Sequence, residues 1–239
     1  MKSFILKFII ISSFSFGQIS PSRSETKPEN VIFANAISVY KSISDSEDIK
    51  TRINKKEFVL KKIDEIINNY PATDIGITLI STDSFGGINS KKLRDSYLKD
   101  LTKFSLKTCE SNPTPTCLGF VSLDNGNKTC EKSNSFNQYL IASNNFKNAY
   151  KVFKKEKNDN KYNLAVISSY MRCADLAGSE FGKDFINSRF ISVLLEKGDL
   201  SRAKGLTQNM TTPILKILSA TDIRINEGKF DINTFNSLI

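Results

Sequence analysis

The chain of 239 residues has no histidine and no tryptophan. Histidine is the usual general base near neutral pH and the commonest ligand of transition metals in proteins. Its absence excludes Ser-His-Asp hydrolases, Cys-His proteases, HExxH zinc peptidases and zinc modules built on cysteine and histidine. We therefore predict a protein that is not an enzyme and has no catalytic residues, no metal and no cofactor.

Long hydrophobic runs are also missing. The apolar run that starts at Phe8 is too short for a membrane span, which needs about 20 apolar residues. Two lysines lie before it, and small residues at Ser15 and Gly17 follow it, which is the pattern of a signal peptide with its cleavage site. We predict a signal peptide over 1–17, export by the Sec pathway, and a soluble periplasmic or secreted chain that starts at Gln18. A buried N-terminal helix or strand is the alternative.

Cysteine is scarce, with four residues in the whole chain. In an oxidising compartment four cysteines favour two disulfides over a metal site. Cys109 and Cys117 flank a segment with two prolines, which bends the chain, so we predict a bridge there. Cys130 and Cys173 are then the second pair, although four cysteines allow three connectivities. A free, buried thiol is the alternative for Cys173.

Basic residues exceed acidic ones, 34 to 25, which gives a net charge of +9. Removing residues 1–17 takes away two lysines and leaves +7. The basic residues are interleaved with acids, and on the long helix predicted from Asp45 to Tyr70 we interpret them as a solvated face. Nucleic acid is not an expected partner, because the aromatics near the basic cluster, Tyr150 and Phe153, fall on the inward face of their helix.

The pattern of apolar residues is helical from Pro28 onward. After a flexible leader over 18–28, we predict an N-terminal helical region over 29–108, with the segment 72–82 either helix or strand. Gly86 and Gly87 break the chain before the next helix. A disulfide-closed connector then covers 109–126, where the sequence Asp-Asn-Gly-Asn at 124–127 indicates a tight turn.

The second half contains an internal repeat with an offset of 54 residues. Phe136, Leu140, Phe146, Ala149 and Leu164 recur as Phe190, Leu194, Leu200, Ala203 and Leu218. Each unit is predicted to hold a helix that ends near Ala142 or Glu196, a turn, a second helix, and a third helix that begins near Asn160 or Thr212. Repeats of this kind stack into a solenoid.

The segments 145–153 and 198–203 carry a turn acid or amide, then an aromatic or leucine, then a small alanine. In this order they resemble the second helix of a tetratricopeptide-type repeat, and the resemblance covers residues 127–227. It implies an all-α fold, a right-handed superhelical stack of antiparallel helices, over the helical repeats at 127–239. It also implies scaffolding or peptide binding, as in exported bacterial helical-repeat proteins.

We therefore predict a non-catalytic exported protein that binds a protein or peptide partner, with Lys151, Lys154 and Lys155 as partner-binding residues. In a host-associated bacterium the same features fit a secreted effector. One alternative is an envelope protein that binds polyanions through basic helices. Another is a hydrolase that uses acidic residues alone. Its candidate carboxylates are Glu47, Asp48, Asp64, Glu65, Glu180 and Asp184.

Overall fold

A computed structural model describes residues 27–132 and 135–229, and the predicted signal peptide lies outside these residues. The elements follow in the order α1 (Pro28–Lys41), α2 (Ile49–Asn69), α3 (Asp74–Thr82), β1 (Ser84–Phe85), β2 (Ile88–Asn89), α4 (Ser90–Ser111), α5 (Thr116–Glu131), α6 (Phe136–Lys155), α7 (Asp159–Leu176), α8 (Glu180–Lys197), α9 (Leu200–Gln208) and α10 (Pro213–Asn226). The all-α class is confirmed. Within the same ranges no helix has both the length and the apolar character that crossing a membrane requires.

Helix starts in the N-terminal region follow the local signals in the sequence. The Asp48 carboxylate caps α2 by accepting the backbone N–H of Thr51 at 3.0 Å, and Thr73 caps α3 in the same way. Within the segment 72–82 the chain forms the helix α3, Asp74–Thr82, and not a strand. After it, β1 and β2 pair as an antiparallel hairpin. Gly86 and Gly87 form its turn with φ of 56° and 85°, a conformation that favours glycine.

Both predicted disulfides are present. Cys109 is joined to Cys117 with Cα atoms 5.8 Å apart, and Cys130 is joined to Cys173 with Cα atoms 5.4 Å apart. The first closes the bend between α4 and α5. The second links α5 to α7, so the free-thiol alternative for Cys173 is wrong.

The prediction of a connector over 109–126 holds only in its first part. The chain is helical from Thr116, and the predicted tight turn at 124–127 is wrong because it lies inside α5. The physical reason is close packing of α5 against α6. A Cβ on Gly126 would lie 2.7 Å from Cδ1 of Phe146, and one on Gly119 would lie 2.8 Å from Cζ of Phe153. These glycines lower the helix propensity of α5 but let the two helices approach.

The first predicted repeat unit also needs correction. The helix expected to end near Ala142 continues to Lys155 as α6, so the predicted turn at 143–145 is wrong. In the second unit a real turn separates α8 from α9, where Gly198 has a φ of 83°. Asn144 stands at the equivalent position of the first unit and stays helical. The third helices, α7 and α10, begin as predicted at Asp159 and Pro213.

The core runs from α1 to α10 and includes both repeat alanines, Ala149 and Ala203, which are fully buried. Some predicted packing residues lie outside it. Phe136 is 49% exposed and Leu218 is 48% exposed, whereas their counterparts Phe190 and Leu164 are buried. The two units thus match in sequence more closely than they match in burial.

Candidate partner-binding surfaces

The three lysines predicted to bind a partner lie exposed at the carboxyl end of α6. The Nζ of Lys154 is 5.7 Å from the centroid of the Tyr150 ring, a cation–π distance. For Lys151 and Lys155 the structure shows no carboxylate within ion-pair distance among the described residues. Tyr150 is buried in the core as expected, so this surface offers ammonium groups and little aromatic face.

The solvated face predicted on the long helix α2 is wrong for two of its cations. Lys56 is only 6% exposed, and its Nζ lies 2.7 Å from Oδ2 of Asp100 on α4. Arg52 Nε contacts the same carboxylate oxygen at 3.1 Å. Burial raises the pKa of Asp100, but hydrogen bonds from Lys56 and Arg52 outweigh it and hold that pKa below its ordinary value. This cluster stabilises the α2–α4 contact.

A sequence signal for this cluster existed. Lys56 falls three and four residues from Ile53 and Leu60, within the apolar stripe of α2, and Asp100 falls between Tyr97 and Leu101 on α4. Charged residues within an inward stripe indicate a buried ion pair.

Most of the candidate carboxylates of the hydrolase alternative have structural partners. Glu47 pairs with Lys55, Asp64 with Arg202 at 3.4 Å, and Glu65 with Lys62 at 2.7 Å, while Asp48 caps α2 and Glu180 lies in the first turn of α8. Among residues 27–132 and 135–229 no cluster of three or more acidic or cysteine side chains could hold a metal ion.

Asp184 is the most buried of these carboxylates, with 1% exposure. Its Oδ2 accepts the backbone N–H of Thr211 at 2.9 Å and that of Thr212 at 2.7 Å, just before α10 begins. Burial raises the pKa of Asp184, but these hydrogen bonds outweigh it and leave that pKa below its ordinary value. Asp184 therefore fixes the start of α10 against α8.

A charged groove of about 770 Å³ lies between α4, α5 and α7. We call it the α4–α5–α7 groove. Its lining residues are Lys92, Asp95, Ser96, Leu98, Lys99, Thr102, Lys103, Leu106, Asp124, Asn127, Lys128, Glu131 and Arg172. The groove could not be predicted from the sequence, because its residues come from three helices that only the tertiary fold brings together.

The acids of the groove are already paired. Arg172 Nε contacts Oδ1 of Asp95 at 2.9 Å, and its Nη2 contacts Oε1 of Glu131 at 2.8 Å, so one guanidinium joins α7 to both α4 and α5. Lys128 pairs with Asp124 at 2.6 Å along α5. The acids of the groove therefore do not pair with its remaining cations, which are available to bind a ligand.

Three exposed lysines of α4, which we call the groove lysines, complete the charge pattern: Lys92, Lys99 and Lys103. Within the part of the chain that the structure describes, they take part in no ion pair. Five cations against three acids give the groove a net charge of +2.

The wall of the groove contains a buried amide. Asn127 is 9% exposed, and its Nδ2 donates to Oγ of Ser169 on α7 at 3.2 Å. Its Oδ1 accepts no hydrogen bond from any described residue. This oxygen is itself shielded from solvent, so Asn127 joins α5 to α7 behind the surface of the groove.

No known protein family, curated protein or solved structure matches this chain. The tetratricopeptide-type resemblance therefore stays a prediction. The α4–α5–α7 groove combines exposed, unpaired lysines with acids that are already paired.

A second hollow, of about 640 Å³, lies beside α1, α3 and the hairpin. It is lined mainly by apolar side chains, together with one cation and one acid: Asn30, Phe33, Ala34, Ile37, Ser38, Lys41, Asp74, Ile75 and Phe85. Lys41 and Asp74 balance each other in charge, so this hollow has no charge preference that would select a ligand class.

Proposed function

We propose that this chain is a non-catalytic, exported protein that binds a protein or peptide partner in the α4–α5–α7 groove. The observation that carries the proposal is the set of exposed groove lysines along one concave surface whose acids are already paired with other cations. Concave sites with a few convergent polar groups are where ligands bind in most proteins. Export through the Sec pathway belongs to the proposal and is supported by the two disulfides, which persist in oxidising compartments.

The superhelical stack implied by the tetratricopeptide resemblance is a further part of this proposal. Its support is the unit from α8 to α10, which keeps the predicted order of helix, turn, helix and third helix. The first unit does not support the superhelical stack, because α6 is one continuous helix where the repeat predicts two helices and a turn. The role of a secreted effector remains compatible with these features.

The proposal is tested by panning a random peptide library against the mature chain. We expect enriched peptides that lose binding to the Lys99→Glu/Lys103→Glu variant. Lys151→Glu/Lys155→Glu is the matched control, because it reverses two lysines at the same four-residue spacing on α6. Both variants should keep the wild-type melting temperature, since exposed charges contribute little to stability.

Two results would contradict the proposal. Absence of any enriched peptide would overturn peptide binding by this chain. Enriched peptides that bind the α4 variant as well as the wild type, but not the α6 variant, would move the site to the originally predicted Lys151, Lys154 and Lys155.

The lysine-rich end of α6 supports a second candidate, binding of a polyanion. Lys157 and Lys161 follow Lys151, Lys154 and Lys155 in the same stretch of chain, and Lys161 Nζ lies 5.1 Å from the Tyr162 ring centroid. Binding of heparin or of single-stranded DNA that falls steeply with salt, and that the α6 charge reversal abolishes, would favour this function.

A further inference from the structure

We propose that the α4–α5–α7 groove takes an acidic peptide segment in extended conformation, with its carboxylates over the groove lysines. This inference rests on the proposed function and names the chemical class of its ligand. Three features of the groove lead to it: its charge, the spacing of its lysines, and the side chains that line it.

Charge complementarity selects an anionic ligand. The three acids of the groove are held by Arg172 and Lys128, so a ligand carboxylate meets the groove lysines without having to displace an existing acid. Complementary charge increases both the association rate and the selectivity for anionic segments. A basic peptide would be repelled by the net charge of the groove.

The spacing of the lysines matches an extended chain. Lys99 and Lys103 are four residues apart on one helix, which corresponds to a rise of about 6 Å. In an extended peptide, side chains on the same face recur about every 6.6 Å. Acids at alternate positions can therefore pair with both lysines at once. The full run from Lys92 to Lys103 rises about 16.5 Å, the length of about five extended residues.

The lining of the groove favours a peptide over a nucleic acid. The lining residues include no aromatic ring on which a base could stack. Leu106, which is partly exposed, instead provides apolar surface for the residues between the acids.

The disulfide Cys130–Cys173 holds the α5 and α7 walls of the groove in place. Cys130 lies three residues after Asn127 on α5, and Cys173 lies four residues after Ser169 on α7. The disulfide and the hydrogen bond thus join the same two helices, about one helical turn apart. Arg172, next to Cys173, adds the ionic contacts that close one side of the groove.

Fluorescence anisotropy with the mature chain tests the inference with three probes. They are an eight-residue peptide with glutamate at alternate positions, the same peptide with glutamine in place of glutamate, and oligothymidylate of the same net charge as the first. We expect the glutamate peptide to bind at least about tenfold more tightly than the glutamine peptide, since two or three exposed ion pairs together supply about 1.4 kcal/mol. Lys99→Glu/Lys103→Glu should remove this preference, and Lys151→Glu/Lys155→Glu should retain it.

The outcomes separate the inference from the proposed function. Equal binding of both peptides, lost in the Lys99→Glu/Lys103→Glu variant, would overturn the acidic preference and leave the groove as a peptide site. Oligothymidylate that competes as well as the glutamate peptide would overturn the peptide class. Binding that only the α6 variant loses would overturn the location. The proposed function itself fails only if the library panning yields no peptide that depends on the groove.

Discussion

The side-chain amide of Asn127 on α5 donates to the hydroxyl of Ser169 on α7 at 3.2 Å, one helical turn from the disulfide that joins the same two helices. A polar contact and a covalent one therefore fix the two walls of the candidate groove relative to each other. The third wall, α4, is joined to α7 by the contact of Asp95 with Arg172 and by that of Lys91 with Asp175 at 3.8 Å.

The two disulfides are predicted to differ in their contribution to stability. Cys130–Cys173 spans 43 residues of sequence and Cys109–Cys117 spans 8. In the chain-entropy model the longer loop contributes about 4 kcal/mol and the shorter one about 2.5 kcal/mol. The double variant Cys130→Ser/Cys173→Ser should therefore have the lower free energy of unfolding in urea. A larger loss in Cys109→Ser/Cys117→Ser would contradict the loop-entropy account.

Gly126→Ala is predicted to destabilise the fold. The new Cβ would lie 2.7 Å from Cδ1 of the fully buried Phe146, which has little room to move. We expect a loss of about 1–3 kcal/mol in the free energy of unfolding, the usual cost of overpacking.

Gly205→Ala is the matched control for that substitution. Gly205 also lies inside a helix, α9, but an added Cβ meets nothing within 4 Å. Its replacement should stabilise the chain by up to about 1 kcal/mol through helix propensity. Chemical denaturation compares the two variants, and destabilisation of similar size in both would refute the role of α5–α6 packing.

Asp100→Asn is predicted to leave Lys56 buried without its ion-pair partner. Because both side chains are largely buried, we expect a loss of about 2–3 kcal/mol in the free energy of unfolding. The double variant Lys56→Met/Asp100→Asn should be more stable than Asp100→Asn alone, since the uncompensated ammonium is gone. Additive losses in the double variant would show that the two residues do not interact.

Asp184→Asn is predicted to alter the dependence of stability on pH. Because the pKa of Asp184 is lowered in the folded state, its carboxylate contributes stability above the unfolded pKa of about 4 and loses that contribution as pH falls further. Near neutral pH we expect the variant to be less stable by about 1.5–3 kcal/mol.

Denaturation at a series of pH values from neutral to acidic measures this difference. The gap between the wild type and Asp184→Asn should narrow as the pH drops below about 4. A gap of constant size across this range would show that hydrogen-bond geometry, and not the charge of Asp184, stabilises the start of α10.

Much of the fold could be predicted from the sequence, because it depends on local signals. The spacing of apolar residues identified the helical segments, and the two prolines near Cys109 marked a boundary that the structure retains, whereas the helix predicted from Asp45 begins at Ile49. The bridge Cys109–Cys117 was predicted from the bend at 112–115 and Cys130–Cys173 as the remaining pair, although four cysteines allow three connectivities. The helical periodicity and the bend each depend on residues that are close in sequence. For the disulfides, the small number of cysteines leaves few possible pairings.

Only the tertiary structure decided that 124–127 and 143–145 are helical. Turn preferences of asparagine and glycine are worth about 1 kcal/mol or less per residue. Burying a side chain such as Phe146 contributes about 1.5–3 kcal/mol, and the buried face of α6 continues through Ser143 without interruption. Packing of α5 against α6 therefore outweighs the local preference for turns, whereas Gly198, with its positive φ, lets the chain leave α8.

The sequence by itself thus indicated the all-α class, most of the helices and their order, and it excluded chemistry that requires histidine, but it left the disulfide connectivity open. The tertiary structure alone decided that Lys56 and Asp100 form a buried pair, and that Lys99, Asn127 and Arg172 share one groove. Those side chains come from helices far apart in sequence. The apolar periodicity of one helix does not indicate which other helix packs against it. Such positions are set by the summed burial of many side chains, which is a property of the whole fold.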